Sequence, residues 1–269
     1  MQERVEFLVG APGGQEGWWR CADVLAEPAP LRQWAARLRS WLLAEFGEAP
    51  ERTVTGYLLG WYLNVPAATG ALFFHTRRRV PMLRPGDLAF RLAAPRPLAE
   101  SVALLTPEFA CLPDDPAAGR AGVTVVADEA ALGALLRARF AGHAAKFVPA
   151  FAATMGRRLG RRTLWAAATD ALDQALWVAG RDLGDEAGGV ADAALVLPAP
   201  IAPLTAGSTL RPARTPAECT PDTRWTRRRE SCCFHYVLIA GDGECRTCPR
   251  VQPRMAETRR PSSPVAPMT

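Results

Sequence analysis

Lysine is almost missing: Lys146 is alone among 32 basic residues, and only 3 histidines and 3 tyrosines occur in 269 residues. Alanine, arginine, proline and glycine recur along the whole chain, which is the mark of a codon bias. Arginine content by itself therefore signals no phosphate-binding device. Long apolar runs are also lacking. The apolar stretch Thr163 to Gly180 is interrupted by Asp170, Asp173 and Gln174, and no run of about twenty uncharged apolar residues exists, which excludes a membrane-spanning helix. An apolar leader is absent too: the chain opens MQERVEF, charged where a secretory signal is apolar, so a cytoplasmic protein is expected. No GxGxxG loop, P-loop, HExxH or GxSxG occurs, and a nicotinamide or flavin site is not indicated. Intrinsic disorder of the whole is excluded by an ordinary hydrophobic content of 49% and a net charge of only +5. A chain of this length buries a core without staples.

What is present is unevenly placed. Residues 1–210 carry 21 basic and 21 acidic groups, whereas residues 211–269 carry 11 arginines against 6 acids, so the whole positive balance sits at the C-terminal end. Nucleic acid, an anionic ligand or an acidic protein partner would each suit that asymmetry. The cysteines are polarised in the same direction. Cys21, Cys111 and Cys219 stand apart, the first two in surroundings that suit small buried hydrophobes, while Cys232, Cys233, Cys245 and Cys248 fall within seventeen residues. Without an export signal, such a cluster points to metal more than to disulfides.

Periodicity predicts a mainly helical chain. Gly10, Pro12, Gly13, Gly14 and Gly17 break any pattern in 1–27, which reads as an irregular N-terminal segment. Leu31, Trp34, Leu38, Trp41 and Leu42 share one helical face that Gly47 can end. Two apolar helices are predicted over 53–64 and 66–79, separated by Pro66 and closed by Arg77, Arg78 and Arg79. Asp87–Leu92 and Val123–Val126 read as short strands. Asp128 caps a helix through Phe140, a further helix covers 144–157 despite Pro149, and the strongest helix, 162–181, presents Leu164, Trp165, Ala168, Leu172, Leu176 and Trp177 as one core stripe. The expected fold class is α+β: a mainly helical domain over 28–200 with a few short strands, a proline-rich strap over 201–224, a small cysteine-rich segment over 225–250 and a disordered tail over 251–269.

The chemistry concentrates in RRRESCCFHYVLIAGDGECRTCPR. Its spacing is Cys-Cys, eleven residues, then Cys-x2-Cys. Four thiolates satisfy a two-iron, two-sulfide cluster, because each iron takes two protein ligands beside two bridging sulfides. Phe234 to Ile239 is β-prone and Ala240-Gly241-Asp242-Gly243 reads as a turn, so a hairpin-like return brings the second pair toward the first. The Cys-x2-Cys loop, followed by Pro249, offers backbone N–H groups to sulfur. Structural zinc also takes four cysteines, but its paired ligands usually stand two to four residues apart, and adjacent cysteines on an extended chain point to opposite sides. A zinc-bearing nucleic-acid-binding protein is the alternative that the basic C-terminal part suggests; against it, no aromatic interleaves the arginine run beyond Trp225.

Arg228, Arg229, Cys232, Cys233, Tyr236, Cys245, Cys248 and Pro249 together resemble the C-terminal segment of the FhuF-like ferric siderophore reductase family. The likeness covers about residues 224–250, with a weaker one in the helix TLWAAATDALDQAL, and the spacing between cysteine pairs is eleven residues where the family has ten. The extra residue falls in AGDG and enlarges the turn. The resemblance implies a [2Fe–2S] cluster on Cys232, Cys233, Cys245 and Cys248. It also implies one-electron reduction of siderophore-bound Fe(III), with a ferric siderophore as substrate, a ferredoxin-like protein or small reductant as external electron donor, and no nucleic acid as partner. A non-catalytic iron–sulfur partner or iron sensor of siderophore metabolism is the alternative within that class. Hard oxygen ligands hold Fe(III) far more strongly than Fe(II), so one electron loosens the iron. Arg227, Arg228 and Arg229 read either as a solvated run or as a docking face for an anionic complex or acidic donor. His235 lies two residues past Cys233, yet four cysteines already suffice; His75 reads as a solvated or capping residue, and His143 as a residue between two helices.

Overall fold

The computed structural model describes residues 6–10, 12, 17–155, 159–214, 223–241 and 243–250. Cys219 and the 251–269 tail lie outside the described residues. Helix α1 (Cys21–Ala26) leads into α2 (Pro28–Phe46). Proline in the first turn of α2 forfeits an N–H that has no partner there, and Gly47 stops the helix at φ 72°, its N–H returning to the Leu43 carbonyl. Helix α3 (Glu51–Arg77) is continuous where two helices were expected, and α4 (Glu129–Met155) likewise runs straight through Pro149. A proline inside a helix costs about 3 kcal/mol. Both prolines sit in stretches whose neighbours are buried, Leu63, Val65 and Ala67 in α3 and Phe147, Val148 and Phe151 in α4, and that burial offsets the penalty. Asp128 accepts from the Ala131 N–H at 2.8 Å, the cap that the sequence indicates. All six stripe residues of α5 (Arg161–Asp182) are buried.

A further helix, α6 (Glu186–Val196), has no counterpart in the sequence reading. Its Gly188-Gly189 pair disfavours a helix locally, by about 1 kcal/mol per glycine. Packing explains the glycine: a Cβ on Gly189 would stand 2.8 Å from the Leu176 carbonyl oxygen, so only glycine lets the backbones of α5 and α6 approach. Helix α3 packs along both α5 and α4, with α5 leaning on α6.

Three small sheets complete the α+β fold. Strands β1 (Glu6–Val9), β2 (Trp18–Arg20), β4 (Leu88–Leu92) and β5 (Ala99–Leu104) form one sheet in the order β1-β5-β4-β2, with β1 parallel to β5 and the other pairs antiparallel. The expected irregular N-terminal segment is corrected here, since β1, β2 and α1 all lie within it. Their order comes from distant pairing partners, which local periodicity does not register. β3 (Arg79–Pro81), β6 (Phe109–Cys111) and β7 (Val123–Val125) make a second sheet. β8 (Leu210–Pro212) and β9 (Trp225–Arg227) form an antiparallel ribbon that ties the proline-rich strap to the start of the cysteine segment.

Three polar residues of the core differ from their sequence reading. His75 is neither solvated nor a cap: its Nδ1 lies 2.7 Å from Asp192, whose other oxygen accepts from Arg78 at 2.7 Å, joining α3 to α6. Arg79 belongs to β3 and pairs with Asp115, so the three arginines do not close one helix. His143 lies inside α4, fully buried beside the stacked pair Tyr62–Phe147. Its Nδ1–H donates to the Leu83 carbonyl at 2.6 Å and Nε2 accepts from the Tyr62 hydroxyl at 3.0 Å.

Burial holds the His143 pKa down at about 4 against an ordinary value near 6.5. A depressed folded value means that only the unfolded chain takes the proton between those limits. His143 therefore contributes stability that is complete above pH 6.5 and is lost as pH falls toward 4, at about 1.4 kcal/mol per pH unit. Denaturant unfolding of wild type and His143→Gln at pH 7.5 and 5.0 should show a steeper acid loss for wild type; parallel losses would refute the assignment.

Candidate metal centre

The C-terminal segment is fastened to α5 by one buried carboxylate. Asp170 accepts from the Glu230 N–H at 2.9 Å and the Ser231 N–H at 2.8 Å, and the Ser231 hydroxyl adds a third bond. One turn on, Asp173 accepts from Ser208 at 2.7 Å and from the Thr209 hydroxyl at 3.1 Å, holding the strap against the same helix. Arg227, 3% exposed, reaches between them: it donates to the Asp170 carbonyl at 2.8 Å and to Gln174 at 2.9 Å, with Asp173 at 3.5 Å. The three arginines therefore do not form the single face, solvated or for docking, that the sequence reading expected. Arg227 is spent on the core, Arg229 is turned inward toward Asp170 at 3.5 Å, and Arg228 alone of the three is exposed, bonded to the Pro249 carbonyl at 2.7 Å.

Immediately after this anchor come the cysteines. Phe234 takes a left-handed conformation, φ 60°, and His235–Val237 forms a 3₁₀ turn in place of the expected strand. Backbone groups here bond locally and to α3, leaving no ladder for a hairpin: the Val237 N–H returns to the Phe234 carbonyl, and that carbonyl also accepts from Thr53 Oγ1 at 3.0 Å. The sharp bend removes the objection that adjacent cysteines diverge. Cys233 Sγ lies 4.0 Å from Cys245 Sγ, and Cys232 is in side-chain contact with Cys248. The return toward the first pair is closed by the Arg229 N–H on the Thr247 carbonyl at 2.9 Å. Sulfur receives a backbone donor at the first pair, where the Phe234 N–H points at Cys232 Sγ from 3.3 Å; in the Cys-x2-Cys loop the Cys248 N–H goes to the Cys245 carbonyl.

Helix α3 supplies the other wall. Thr53, Gly56 and Tyr57 share one face, and a Cβ on Gly56 would stand 2.7 Å from the Cys233 carbonyl oxygen. Tyr57 Oη lies 2.6 Å from His235 Nδ1, which occupies His235 with a phenol. Sequence reasoning missed Thr53, Gly56, Tyr57 and Asp170 as site residues; the signals were a glycine inside an apolar helix and a carboxylate between the buried positions of its neighbour α5.

Residues 229–250 match the family model of the FhuF 2Fe-2S C-terminal domain. The cysteine segment is thus similar to a FhuF-type cluster domain. Whole-chain comparison with curated proteins and with solved structures gave no match. The cofactor of this domain is a [2Fe–2S] cluster, which sets aside the zinc alternative.

The residues present fit that group. Two sulfur pairs suit two irons, and among the described residues no three His, Cys, Asp or Glu side chains gather around one point as a mononuclear site requires. Arg229 Nε is buried without a hydrogen bond, although it sits among Asp170, Cys233 and Cys245. Burial opposes its charge, but those three neighbours overcome burial and hold Arg229 firmly protonated. The bond from Cys245 and the charge of Arg229 lower the Cys233 pKa, favouring the thiolate that binds iron, whereas burial raises Cys232. Cys21 and Cys111 are wholly buried elsewhere, and burial raises the Cys21 pKa to about 12, leaving an inert thiol.

Arg229 should set the reduction potential, since a buried cation favours the more negative reduced state. Arg229→Gln should lower the midpoint by about 60 mV, a tenfold change in a one-electron equilibrium, and Arg229→Lys by less. Redox titration followed by the visible spectrum checks this; an unmoved midpoint in Arg229→Gln would contradict it.

Proposed function

We propose that this chain reduces siderophore-bound Fe(III) to Fe(II) by one electron in the cytoplasm, with Cys232, Cys233, Cys245 and Cys248 holding its cluster. The observation that carries the reading is a groove of about 550 Å³ between α3 and α5 that reaches Cys233 and Arg229 at one end. A pocket of that volume suits a small chelate, not a macromolecule. When bound, a [2Fe–2S] cluster supplies a single electron without any acid–base partner. The chain's own residues do the positioning: Asp170 fixes the segment, Gly56 admits the Cys233 backbone against α3, and Arg229 places positive charge where an electron arrives. Hard oxygen ligands then release the product, because Fe(II) binds them weakly. The electron comes from an external donor, a ferredoxin-like protein or a small reductant. Arg228, exposed beside Pro249, is the member of the arginine run placed to meet an acidic donor. Among the described residues no helix is long and apolar enough to cross a membrane.

Two measurements check the proposal. Replacing Cys232, Cys233, Cys245 or Cys248 by Ser should each lower bound iron and acid-labile sulfide severely, whereas Cys111→Ala and Cys219→Ser should leave both unchanged. Mixing the dithionite-reduced protein with a ferric siderophore should give reoxidation with one Fe(II) trapped per electron lost. A reduced spectrum that persists would assign the protein a non-catalytic or sensing role.

A further inference from the structure

Polarity along the groove is uneven. At the end near Cys233, Tyr57 and Trp61 of α3 stand 5.4 Å apart at 34°, and Trp41 of α2 packs on Trp61 at 5.9 Å. Arg96, from the loop between β4 and β5, lies over Trp41 and Trp61 at 5.2 and 5.5 Å. It is exposed, lines the groove, and among the described residues makes no ion pair. Its neighbours differ: Arg227 is engaged by Asp170 and Asp173, Arg229 by Asp170, and Arg91 by Glu100. The opposite end carries Asp182, about 18 Å along α5 from Asp170, and Arg181 pairs with it at 2.8 Å. Between them the lining is small, with Gly60, Ala171 and Ala175 beside Trp61.

A guanidinium spread over two aromatic faces keeps its N–H edges free for an oxyanion, and an indole lining a groove of small residues can receive a planar ring. We infer that the groove binds an anionic aryl chelate of Fe(III), catecholate or phenolate in type, with a ring against Trp61 and an aryl oxygen on Arg96. The inference rests on the reading of the chain as a reductase of chelated iron. It restricts the substrate, because a ferric trishydroxamate is neutral and has no aryl ring at the metal, and so engages neither group.

Gallium(III) separates binding from electron transfer, since it takes the same ligands and is not reduced. Calorimetric titration of the cluster-loaded full chain with Ga(III) tris(catecholate) and with Ga(III) desferrioxamine tests the inference. The aryl complex should bind at least tenfold more tightly. Arg96→Gln should weaken it at least tenfold while the visible cluster spectrum stays unchanged, and Arg96→Lys should recover part of the loss. Equal affinities for the two complexes, or unchanged binding in Arg96→Gln, would overturn the inference. If the hydroxamate complex of Fe(III) is reduced while the aryl gallium complex does not bind, the groove inference fails and the reductase reading stands. Tight aryl binding without reduction of its Fe(III) counterpart supports the groove and defeats the reductase reading.

Discussion

A carboxylate buried in the middle of a core helix has to be fully satisfied, and Asp170 achieves this by capturing the two residues before the cysteines. Each charge-assisted bond of this kind contributes about 1.5–3 kcal/mol, and leaving the carboxylate or the Arg227 guanidinium unpartnered would cost about 3–5 kcal/mol. The pairing is therefore specific: Glu230 and Ser231 on the two carboxylate oxygens, with Arg227 held by the neighbouring carbonyl and by Asp173. Everything downstream inherits its position from that register. Cys232 and Cys233 emerge at a fixed point over α3, and the second cysteine pair folds back to meet them.

The same constraint links the cluster segment to the helical layer. Helix α3 receives the segment through a glycine, a threonine and a tyrosine on one face, then continues as the wall of the groove through Gly60, Trp61 and Asn64. Helix α5 forms the facing wall and carries the anchor. One helix pair thus serves as both scaffold and groove wall, with small residues along the lining. Arg228 and Arg229 point to different sides of the segment, Arg228 outward and Arg229 inward.

Residues with a local signature were legible in the sequence. The stripe of α5, the Gly47 stop, the Asp128 cap and the two cysteine pairs all follow from spacing within a few residues. Features that depend on distant partners were not. Pro66 and Pro149 look like breaks because their local cost is visible, while the burial that offsets it comes from helices far away in sequence. β1 and β2 take their order from β5 and β4. Helix α6 hides behind Gly188 and Gly189: Gly188 makes room for the capping Asp185 side chain, and the purpose of Gly189 appears only when α5 is laid beside it. At the site, the arginine run looked like a surface because arginine usually is one; Arg227 is buried only because Asp170 and Asp173 face it. The β-prone Phe234–Ile239 stretch becomes a turn since Thr53 and the local carbonyls claim its backbone.

Hydrogen exchange at the Glu230 and Ser231 amides, read together with bound iron in Asp170→Asn, tests the anchoring most directly. Removing a buried carboxylate that accepts both N–H groups should speed their exchange about thirtyfold, equivalent to about 2 kcal/mol of local stability, while α4 amides remain protected. Bound iron should fall in parallel, because the first cysteine pair loses its fixed start. Unchanged protection at both amides with a full complement of iron would contradict the account, and would mean that the cysteine segment holds its position without Asp170.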